Sequence, residues 1–377
     1  MESCSSPPIL TPALDTVPGL HPVPQLPGVN ALLPACAQAG RVMRELVARH
    51  RMSLSAVSRN CGAFTLTGHA VRGYALHNKV YCSANMTKIV RAAHLGMCFG
   101  VRDAIALAVE RGKDGPLTIL GDLVHNPIVL ADLEARGIAI ARDLADVRTS
   151  SVMVTAHGAS QRALQRTRAL GLDVVEGTCP LVHAAHRAVA LLVREGYHPV
   201  IIGQRTHVEV RGVTDDLDAF DVVLDDQDVM DLEEHPRVGI AAQTTQSIER
   251  VQHLVGLIRQ RFPRSEVRFI DTVCRPTKQH QDAARELARA CDVVVVIGGA
   301  NSNNTQELVR TCCRYCSRVH HVQTELDLRP EWFAAEASTI GITAGTSTPD
   351  DVIDRVDGRI RELCERLDGA QLHDRSQ

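Results

Sequence analysis

The sequence has few aromatic residues, no large excess of either charge and no long apolar run. Phe, Trp and Tyr number 6, 1 and 4 in 377 residues, which leaves few rings on which nucleic-acid bases could stack. The formal net charge is −3, so no basic field favours a nucleic-acid partner. No stretch approaches the roughly 20 apolar residues that span a bilayer. We therefore expect neither a nucleic-acid partner nor a membrane span.

Basic residues are absent from the first 40 positions. The basic segment that opens a secretory signal is therefore missing, and so are the arginines typical of organellar transit peptides. These absences favour a cytoplasmic protein. In that compartment the 12 cysteines are expected to be thiols or metal ligands, because disulfides are rare there.

The two ends of the chain lack the pattern of a folded domain. Residues 6–35 carry eight prolines, few charges and no apolar periodicity, which is typical of a flexible segment. We assign residues 1–86 as a Pro-rich, mostly disordered N-terminal extension and residues 368–377 as a tail.

From Thr87 onward, short apolar segments alternate with amphipathic ones, which predicts an α/β protein with parallel sheets. Strands are predicted at Lys88–Ala92, Leu117–Leu120, Val152–Ala156, Asp173–Val175, Pro199–Ile202, Val238–Ala241, Val267–Ile270, Val293–Ile297 and Ile340–Thr343. Helices are predicted at Asp103–Glu110, Gln161–Leu170, Ala184–Glu195, Gln246–Arg261, Gln281–Ala290 and Pro349–Leu367. The spacing indicates three similar α/β lobes, at residues 87–177, 178–270 and 271–367.

Polar clusters follow six of the predicted strands, at the ends where parallel α/β sheets bind ligands. They are His125-Asn126, His157-Gly158-Ala159-Ser160, Thr206-His207-Val208-Glu209, Gln243-Thr244-Thr245-Gln246, Asn301-Ser302-Asn303-Asn304-Thr305 and Gly345-Thr346-Ser347-Thr348. Each cluster opens a helix, whose first NH groups attract anions. Taken singly, such side chains more often only cap a helix, and a lone histidine is more often structural. Three histidines with hydroxyl and amide clusters indicate a site for a compact polyanion such as diphosphate.

Three cysteines lie in loops, one in each predicted lobe: Cys98, Cys179 and Cys274. Three thiolates that met at a pseudo-threefold centre could bind three irons of a [4Fe–4S] cluster and leave the fourth iron open to substrate. Spacing alone leaves a simpler alternative open, since widely separated cysteines are more often buried side chains.

A second group of cysteines allows a zinc site as an alternative. Cys312, Cys313 and Cys316 precede His320-His321, and these residue types are the usual zinc ligands. However, residues 308–316 also have the pattern of a helix that leads into a strand at 319–322. A packed helix face therefore competes with the zinc site.

The segments from about Lys88 to Leu367 resemble the LytB family of 4-hydroxy-3-methylbut-2-enyl diphosphate reductases. Seven motifs occur in the family's order, with the three cysteines in register between them. The motifs are His125-Asn126, Ala156-His157-Gly158, Thr178-Cys179-Pro180-Leu181-Val182, His207-x-Glu209-Val210, Gln243-Thr244-Thr245, Asn301-Ser302-x-Asn304 and Thr343-Ala344-Gly345-x-Ser347-x-Pro349-Asp350.

The resemblance implies three α/β lobes around a central cavity and one [4Fe–4S] cluster per chain, with Cys98, Cys179 and Cys274 as its ligands. It implies Glu209 as the proton donor. The substrate-binding residues that it implies are His125, His157, Ser302, Asn303, Asn304 and Ser347 for the diphosphate, with His207 and Thr244 lining the same site.

By the same resemblance, the reaction is the reductive dehydroxylation that gives isopentenyl and dimethylallyl diphosphate, the last step of the non-mevalonate (MEP) isoprenoid pathway. The expected electron donor is a ferredoxin or a flavodoxin, and the expected assembly is a monomer or a homodimer.

The chain departs from the family's pattern beside two of the cysteines. Leu95-Gly96-Met97-Cys98 stands where Arg-Gly-Phe-Cys is usual. After Cys274, Pro276 replaces alanine and constrains the backbone, and His280 replaces a fixed arginine cation with a titratable group. Asn303 stands where serine is common. These changes predict an altered electron donor, rate or product ratio, or a paralogue with a specialised role.

Two other functions remain open from the sequence. A non-catalytic iron–sulfur sensor would keep the cysteines and the fold, although an intact Glu209 and diphosphate set argue against it. A dehydratase with an open-iron cluster would keep the cysteines but would not need the diphosphate-binding residues.

Overall fold

The computed structural model describes residues 87–333 and 339–374, with the side chains of the last helix described as far as Leu367. The predicted N-terminal extension at 1–86 lies outside the described residues. Within the described residues, no helix is long and apolar enough to cross a membrane.

Twelve strands and ten α-helices alternate along the described chain, with three short 3₁₀ turns between them. The strands are β1 Lys88–Arg91, β2 Leu117–Leu120, β3 Ala139–Ala141, β4 Ser151–Val154, β5 Asp173–Glu176, β6 His198–Ile202, β7 Asp221–Val223, β8 Arg237–Ala242, β9 Glu266–Phe269, β10 Val293–Ile297, β11 Val319–Val322 and β12 Thr339–Ala344. The helices are α1 Phe99–Asp114, α2 Pro127–Ala135, α3 Gln161–Ala169, α4 Pro180–Arg194, α5 Val208–Thr214, α6 Asp226–Met230, α7 Ile248–Arg261, α8 Arg275–Ala290, α9 Asn303–Cys313 and α10 Asp350–Asp374.

The strands form three four-stranded sheets, and every pairing is parallel. The first sheet has the order β3-β2-β4-β5, the second β7-β6-β8-β9 and the third β1-β12-β10-β11. The predicted α/β class with three similar lobes and short parallel sheets is confirmed. Helices connect the strands because parallel neighbours require a crossover.

The first strand does not join the sheet of the segment that follows it. β1 pairs with β12 in the third sheet, with Ile89 opposite Ile340. The predicted first lobe at 87–177 thus begins with a strand of the third sheet, and the lobe boundaries at 177 and 270 remain a prediction. At the other end, α10 continues to Asp374, into the segment predicted as a tail.

The strands that the sequence did not predict are the short edge strands β3 and β7, of three residues each. Three residues are too few to show the periodicity on which a strand prediction depends. The helices α2 and α5, of nine and seven residues, were expected only as helices that begin at the polar clusters around His125 and His207, and no bounds were predicted for them. The five-residue helix α6 was not predicted.

Each sheet packs against its helices around a hydrophobic core. β10 is buried along its whole length, as expected for a strand covered on both faces. Its side chains alternate between two clusters, one with α10 that includes Val295 and Ile353, and one with α8 and α9 that includes Val294 and Leu308. Helices on both faces therefore fix each sheet and the loops at its ends.

Two glycines provide a test of this packing. A Cβ on Gly256, in α7, would meet no atom within 4 Å, whereas a Cβ on Gly341, in β12, would lie 2.8 Å from Leu287 Cγ. We expect Gly256→Ala to raise the free energy of unfolding by about 0.5–1 kcal/mol, because alanine loses less backbone entropy in a helix. Gly341→Ala should lower it by about 1–3 kcal/mol through overpacking. Urea unfolding of both variants measures the shifts, and shifts of the same sign would contradict this packing.

Candidate active site

One cavity lies where the carboxyl ends of the three sheets meet. Its lining includes eleven of the twelve predicted site residues, and the twelfth, Glu209, is hydrogen-bonded to the lining residue Thr244. The eleven are Cys98, Cys179, Cys274, His125, His157, His207, Thr244, Ser302, Asn303, Asn304 and Ser347.

The same arrangement of polar side chains and cysteines recurs in the three sheets. The histidines, hydroxyls and amides follow the two central strands of each sheet, namely β2 and β4, β6 and β8, and β10 and β12. The three cysteines follow one edge strand of each sheet, namely β1, β5 and β9. Each sheet therefore contributes one thiol and two sets of polar side chains to the cavity.

Each of the three thiols lies immediately before the first turn of a helix. Cys98, Cys179 and Cys274 are the N-cap residues of α1, α4 and α8, and none of their side chains caps its helix. The partial positive charge of a helix N-terminus favours a thiolate at this position. Backbone NH groups that donate to the three sulfurs come from Gly100, Val101, Leu181, Val182 and Thr277.

Burial opposes the effect of the helix N-termini on the pKa of the three thiols, and burial is the larger of the two contributions. It raises the pKa of the Cys98 and Cys179 thiols, and it raises the pKa of the Cys274 thiol to about 11. Without a cation, burial keeps these thiols protonated. Each sulfur nevertheless receives NH donors, so the thiols would become thiolates when they bind a cation.

Close approach of two of the thiols depends on a glycine. A Cβ on Gly100 would lie only 2.4 Å from Cys179 Sγ. A side chain at this position would therefore push α1 away from Cys179. Because residue 100 has no side chain, the first turn of α1 can lie against Cys179 without displacing its thiol.

The three predicted histidines form a cluster in the cavity. The rings of His125 and His157 are stacked with centroids 4.2 Å apart, and the His207 ring lies edge-on at 5.1 and 5.6 Å from them. Burial lowers the pKa of all three, well below the ordinary value for His157 and to about 4 for His207. Three neutral imidazoles this close could hold either a metal ion or, once protonated, an anion.

Hydrogen bonds define which nitrogen each ring offers to the cavity. His207 Nδ1 accepts from the backbone NH of Glu209 at 3.2 Å, so its proton is on Nε2. One nitrogen of His157 bonds to the backbone of Asp122, which raises its pKa and therefore marks that nitrogen as the donor. Its other nitrogen, Nδ1, is buried without a partner among the described residues, as is His125 Nε2.

The amides and hydroxyls of the third sheet have two different roles. Ser302 Oγ caps α9 by accepting from the Thr305 NH, and Asn303 Nδ2 donates to the Thr245 carbonyl at 2.9 Å. These two side chains are thus partly occupied, as the capping alternative predicted. Asn304 differs, because both its Nδ2 and its Oδ1 are buried without a partner in the described part of the chain.

Glu209 is held under the cavity by Thr244. The Thr244 backbone NH donates to Oε1 at 2.7 Å and the Thr244 hydroxyl donates to Oε2 at 2.9 Å. Burial raises the pKa of Glu209 to about 7, although both hydrogen bonds lower it. Desolvation therefore dominates, and the carboxyl can exchange a proton near neutral pH.

Residues around the Cys274 helix were only partly anticipated by the sequence. Thr277 was not singled out, yet its hydroxyl lies 3.1 Å from Cys274 Sγ, and its position three residues after the cysteine was the available signal. Pro276 occupies the first turn of α8, where a missing NH removes no helical hydrogen bond. His280 is buried with its pKa lowered to about 4, so it is neutral and provides no cation near neutral pH.

The alternative zinc site does not form. Cys312 and Cys316 are buried in the core between α8 and α9, whereas Cys313 is exposed. Within residues 87–333 and 339–367, two other groups of three side chains bring metal-binding atoms within 4.8 Å of one another. One is the histidine cluster of the cavity, and the other is His198, Asp221 and His235.

Sequence comparisons place the chain among known proteins. Residues 89–361 match the family model described as LytB protein. A protein of Aquifex aeolicus named 4-hydroxy-3-methylbut-2-enyl diphosphate reductase is 38% identical over 286 residues, which cover 74% of this chain and 98% of that protein. A protein of Geobacter sp. strain M21 with the same name is 38% identical over 279 residues, 73% of this chain and 98% of that protein.

Solved structures agree with the sequence comparisons. A structure of (E)-4-hydroxy-3-methyl-but-2-enyl diphosphate reductase, titled the terminal enzyme of the non-mevalonate pathway, has 37% identity and a TM-score of 0.55 over 74% of this chain and all of its own. The corresponding reductase of Plasmodium falciparum has 27% identity and a TM-score of 0.68 over 72% of this chain and 87% of its own. The chain therefore belongs to the LytB family, that of the 4-hydroxy-3-methylbut-2-enyl diphosphate reductases.

Proposed function

We propose that the chain catalyses the reductive dehydroxylation of 4-hydroxy-3-methylbut-2-enyl diphosphate to isopentenyl and dimethylallyl diphosphate, the last step of the non-mevalonate (MEP) pathway. The substrate takes up two electrons and two protons, the C–O bond of its hydroxyl breaks, and that oxygen leaves as water. One proton goes to the departing oxygen and the other to a carbon at either end of the allyl unit. Membership of the LytB family and the lining of the cavity support this reaction.

One observation carries the proposal: four buried polar atoms without a partner among the described residues belong to side chains of one cavity. They are His125 Nε2, His157 Nδ1, Asn304 Nδ2 and Asn304 Oδ1. Each unpaired buried polar atom costs about 1–3 kcal/mol, so several at one place indicate a ligand that satisfies them. Phosphate oxygens accept from imidazolium donors and from the Asn304 Nδ2 amide, and the N-terminus of α9 adds its positive partial charge, whereas Asn304 Oδ1 is an acceptor and requires a donor such as a water molecule.

The three thiols of the cavity fit an iron–sulfur cluster. Cys98, Cys179 and Cys274 follow equivalent edge strands, and NH groups of a helix first turn donate to each sulfur. Hydrogen bonds of this kind are those that stabilise reduced, negatively charged clusters. One [4Fe–4S] cluster per chain, held by these three thiolates, would supply electrons and a Lewis-acidic iron without a fourth protein ligand.

Proton delivery is the role that we assign to Glu209. Its carboxyl is buried beside a cavity-lining threonine, and its pKa of about 7 allows a substantial protonated fraction near neutral pH. A general acid works best when its pKa lies near the working pH. The Thr244 hydroxyl, which donates to Glu209 Oε2 and also lines the cavity, connects the carboxyl to the substrate side.

His157 is assigned to the diphosphate. In the neutral ring its Nδ1 is an acceptor and would repel a phosphate oxygen, because its other nitrogen already carries the proton. Binding of a diphosphate therefore requires the imidazolium form. The anion raises the pKa of this histidine as it binds, and the ring takes up a proton.

Electrons are expected from a ferredoxin- or flavodoxin-type donor. Phe99, next to Cys98, is 47% exposed, so one of the proposed ligands lies one residue away from the molecular surface. A donor could therefore approach this edge of the site. A cytoplasmic location and a monomeric or homodimeric assembly remain predictions.

An anaerobic assay tests the proposed reaction. We expect protein purified without oxygen to contain iron and sulfide, and to convert the hydroxylated C5 diphosphate when a reductant is added. Cys179→Ser should lose the cluster and at least about 100-fold in rate, because it removes a ligand. Cys313→Ser, which changes an exposed cysteine outside the cavity, should keep both. A cluster without turnover would favour the sensor, and activity that survives Cys179→Ser would contradict the proposed metal site.

The pH dependence of turnover tests Glu209. The acid form is needed, so the rate constant should be highest below the pKa of about 7 and fall as pH rises above it. Glu209→Gln should bind substrate, turn over very slowly and show no such decline, whereas Glu233→Gln, at an exposed position, should behave as wild type. Single-turnover rates from pH 6 to 9 measure the effect. Near-normal turnover by Glu209→Gln would remove this residue from the proton path.

Proton uptake on binding tests His157. Inorganic diphosphate, added to the oxidised cluster-loaded protein above pH 7, should bind with about one more proton taken up by wild type than by His157→Asn. Calorimetry in two buffers of different ionisation enthalpy measures the difference, and it subtracts the protons of diphosphate itself. His253→Asn, at an exposed histidine of α7, is the control. Equal proton uptake in all three proteins would show that His157 is not charged by the ligand.

A further inference from the structure

A second group of metal-binding side chains lies at the other end of the second sheet. His198 is the first residue of β6, Asp221 is the first residue of β7, and His235 lies two residues before β8 begins at Arg237. The cavity residues His207 and Thr244 follow the opposite ends of β6 and β8. The group therefore lies at the amino end of the strands, away from the proposed active site.

The three side chains are already close to one another. His198 Nε2 and Asp221 Oδ2 are 2.8 Å apart, and the His198 and His235 rings are stacked with centroids 3.7 Å apart and planes 7° apart. One ligand atom from each residue lies within 4.8 Å of the other two. Two imidazole nitrogens and a carboxylate oxygen therefore lie close together, although the two stacked rings would have to rotate to direct their nitrogens at one ion.

A simple ion pair does not account for this arrangement. His198 and Asp221 would form the pair by themselves, and the second imidazole adds nothing to it. The His198 side chain is only 15% exposed, whereas that of Asp221 is 37% exposed, so the group is half-buried and still open on one side. A half-buried second imidazole next to a carboxylate provides the nitrogen and oxygen ligands that a transition-metal ion takes.

We propose that His198, Asp221 and His235 bind a divalent transition-metal ion of the zinc type. Tetrahedral zinc holds nitrogen and oxygen ligands at about 2.0–2.2 Å, which places the ligand atoms roughly 3.3 Å from one another. The present separations, of 2.8 Å and up to 4.8 Å, bracket that value. Rotation of the imidazole side chains out of their stacked arrangement would direct both nitrogens at the ion, and a water molecule would complete the coordination.

The local charge favours a cation. Asp221 supplies one negative charge to the site, and the exposed Glu233 and Glu234 directly precede His235. Glu234 is paired with Arg264 at 2.9 Å, and Glu233 adds a second exposed carboxylate to this loop. Hard cations such as calcium prefer all-oxygen sites, so the two imidazoles select a transition ion.

The ligands come from three neighbouring strands, which gives the ion a structural role. β6 pairs with both β7 and β8, so an ion at this position would tie the amino ends of all three strands together. An ion that binds only the folded chain stabilises it in proportion to the logarithm of the ion concentration. The site is independent of the proposed reaction, because none of its residues lines the cavity.

Zinc binding to the cluster-loaded protein tests this site. We expect about one zinc per chain in wild type after dialysis against micromolar zinc chloride, with the iron content unchanged, and a higher melting temperature with zinc than without it. His235→Ala should bind zinc at least about tenfold more weakly, because it removes one ligand. Asp221→Asn should also bind zinc at least about tenfold more weakly. Its amide keeps a hydrogen-bonding group beside His198.

The matched control is His253→Ala. His253 Nε2 lies 2.8 Å from Asp226 Oδ1 in the same lobe, but the described part of the chain brings no third ligand to this pair, so this variant should bind zinc as wild type does. Zinc measured by mass spectrometry, alongside iron, distinguishes this site from the thiols of the cavity. Zinc bound equally by wild type, His235→Ala and Asp221→Asn, or bound by none of them, would overturn the proposal.

Discussion

Parallel pairing of every strand is the constraint on which the rest of this structure depends. Because all strands of a sheet run in one direction, all of its helices begin at the same edge, and the three sheets turn that edge toward one cavity. Helix N-termini with partial positive charge are thereby collected around Cys98, Cys179, Cys274 and Ser302. The fold creates a site for negative groups before any single side chain is considered.

Burial opposes the effect of that positive field on the pKa of the acidic groups in the cavity, and burial has the larger effect. The thiols receive NH donors and still have raised pKa values, and Glu209 has a raised pKa in spite of two hydrogen bonds. Desolvation thus keeps the cavity close to neutral, with its thiols protonated, its carboxyl partly protonated near neutral pH and its histidines uncharged. In the proposed reaction, charge would enter together with the metal and the diphosphate, and the binding of each would therefore depend on protons.

The polar clusters that line the cavity could be predicted from the sequence because their positions follow locally from each strand. A polar cluster directly after an apolar segment identifies a strand end, and parallel strands bring such ends together. Pairing between distant strands is a different matter, since nothing in residues 88–91 specifies β12 as the partner. The three-residue strands β3 and β7 are too short to show a periodic pattern. The group of His198, Asp221 and His235 lies at the amino ends of its strands, whereas the sequence was searched for ligands only at their carboxyl ends.

The departures near Cys274 illustrate how tertiary structure decides the effect of a substitution. Pro276 constrains the backbone, but it does so in the first turn of α8, where proline fits. His280 can titrate in water, but its burial lowers its pKa and keeps it neutral, although its bond to the backbone of Ala344 has the opposite effect. That bond links α8 to the end of β12. A charge that the family pattern usually places beside the third thiol is therefore missing, while the thiol itself stays at its helix N-terminus. The residue pattern near Cys274 thus differs from that of the family in charge, whereas Cys274 itself lies at the N-cap of α8.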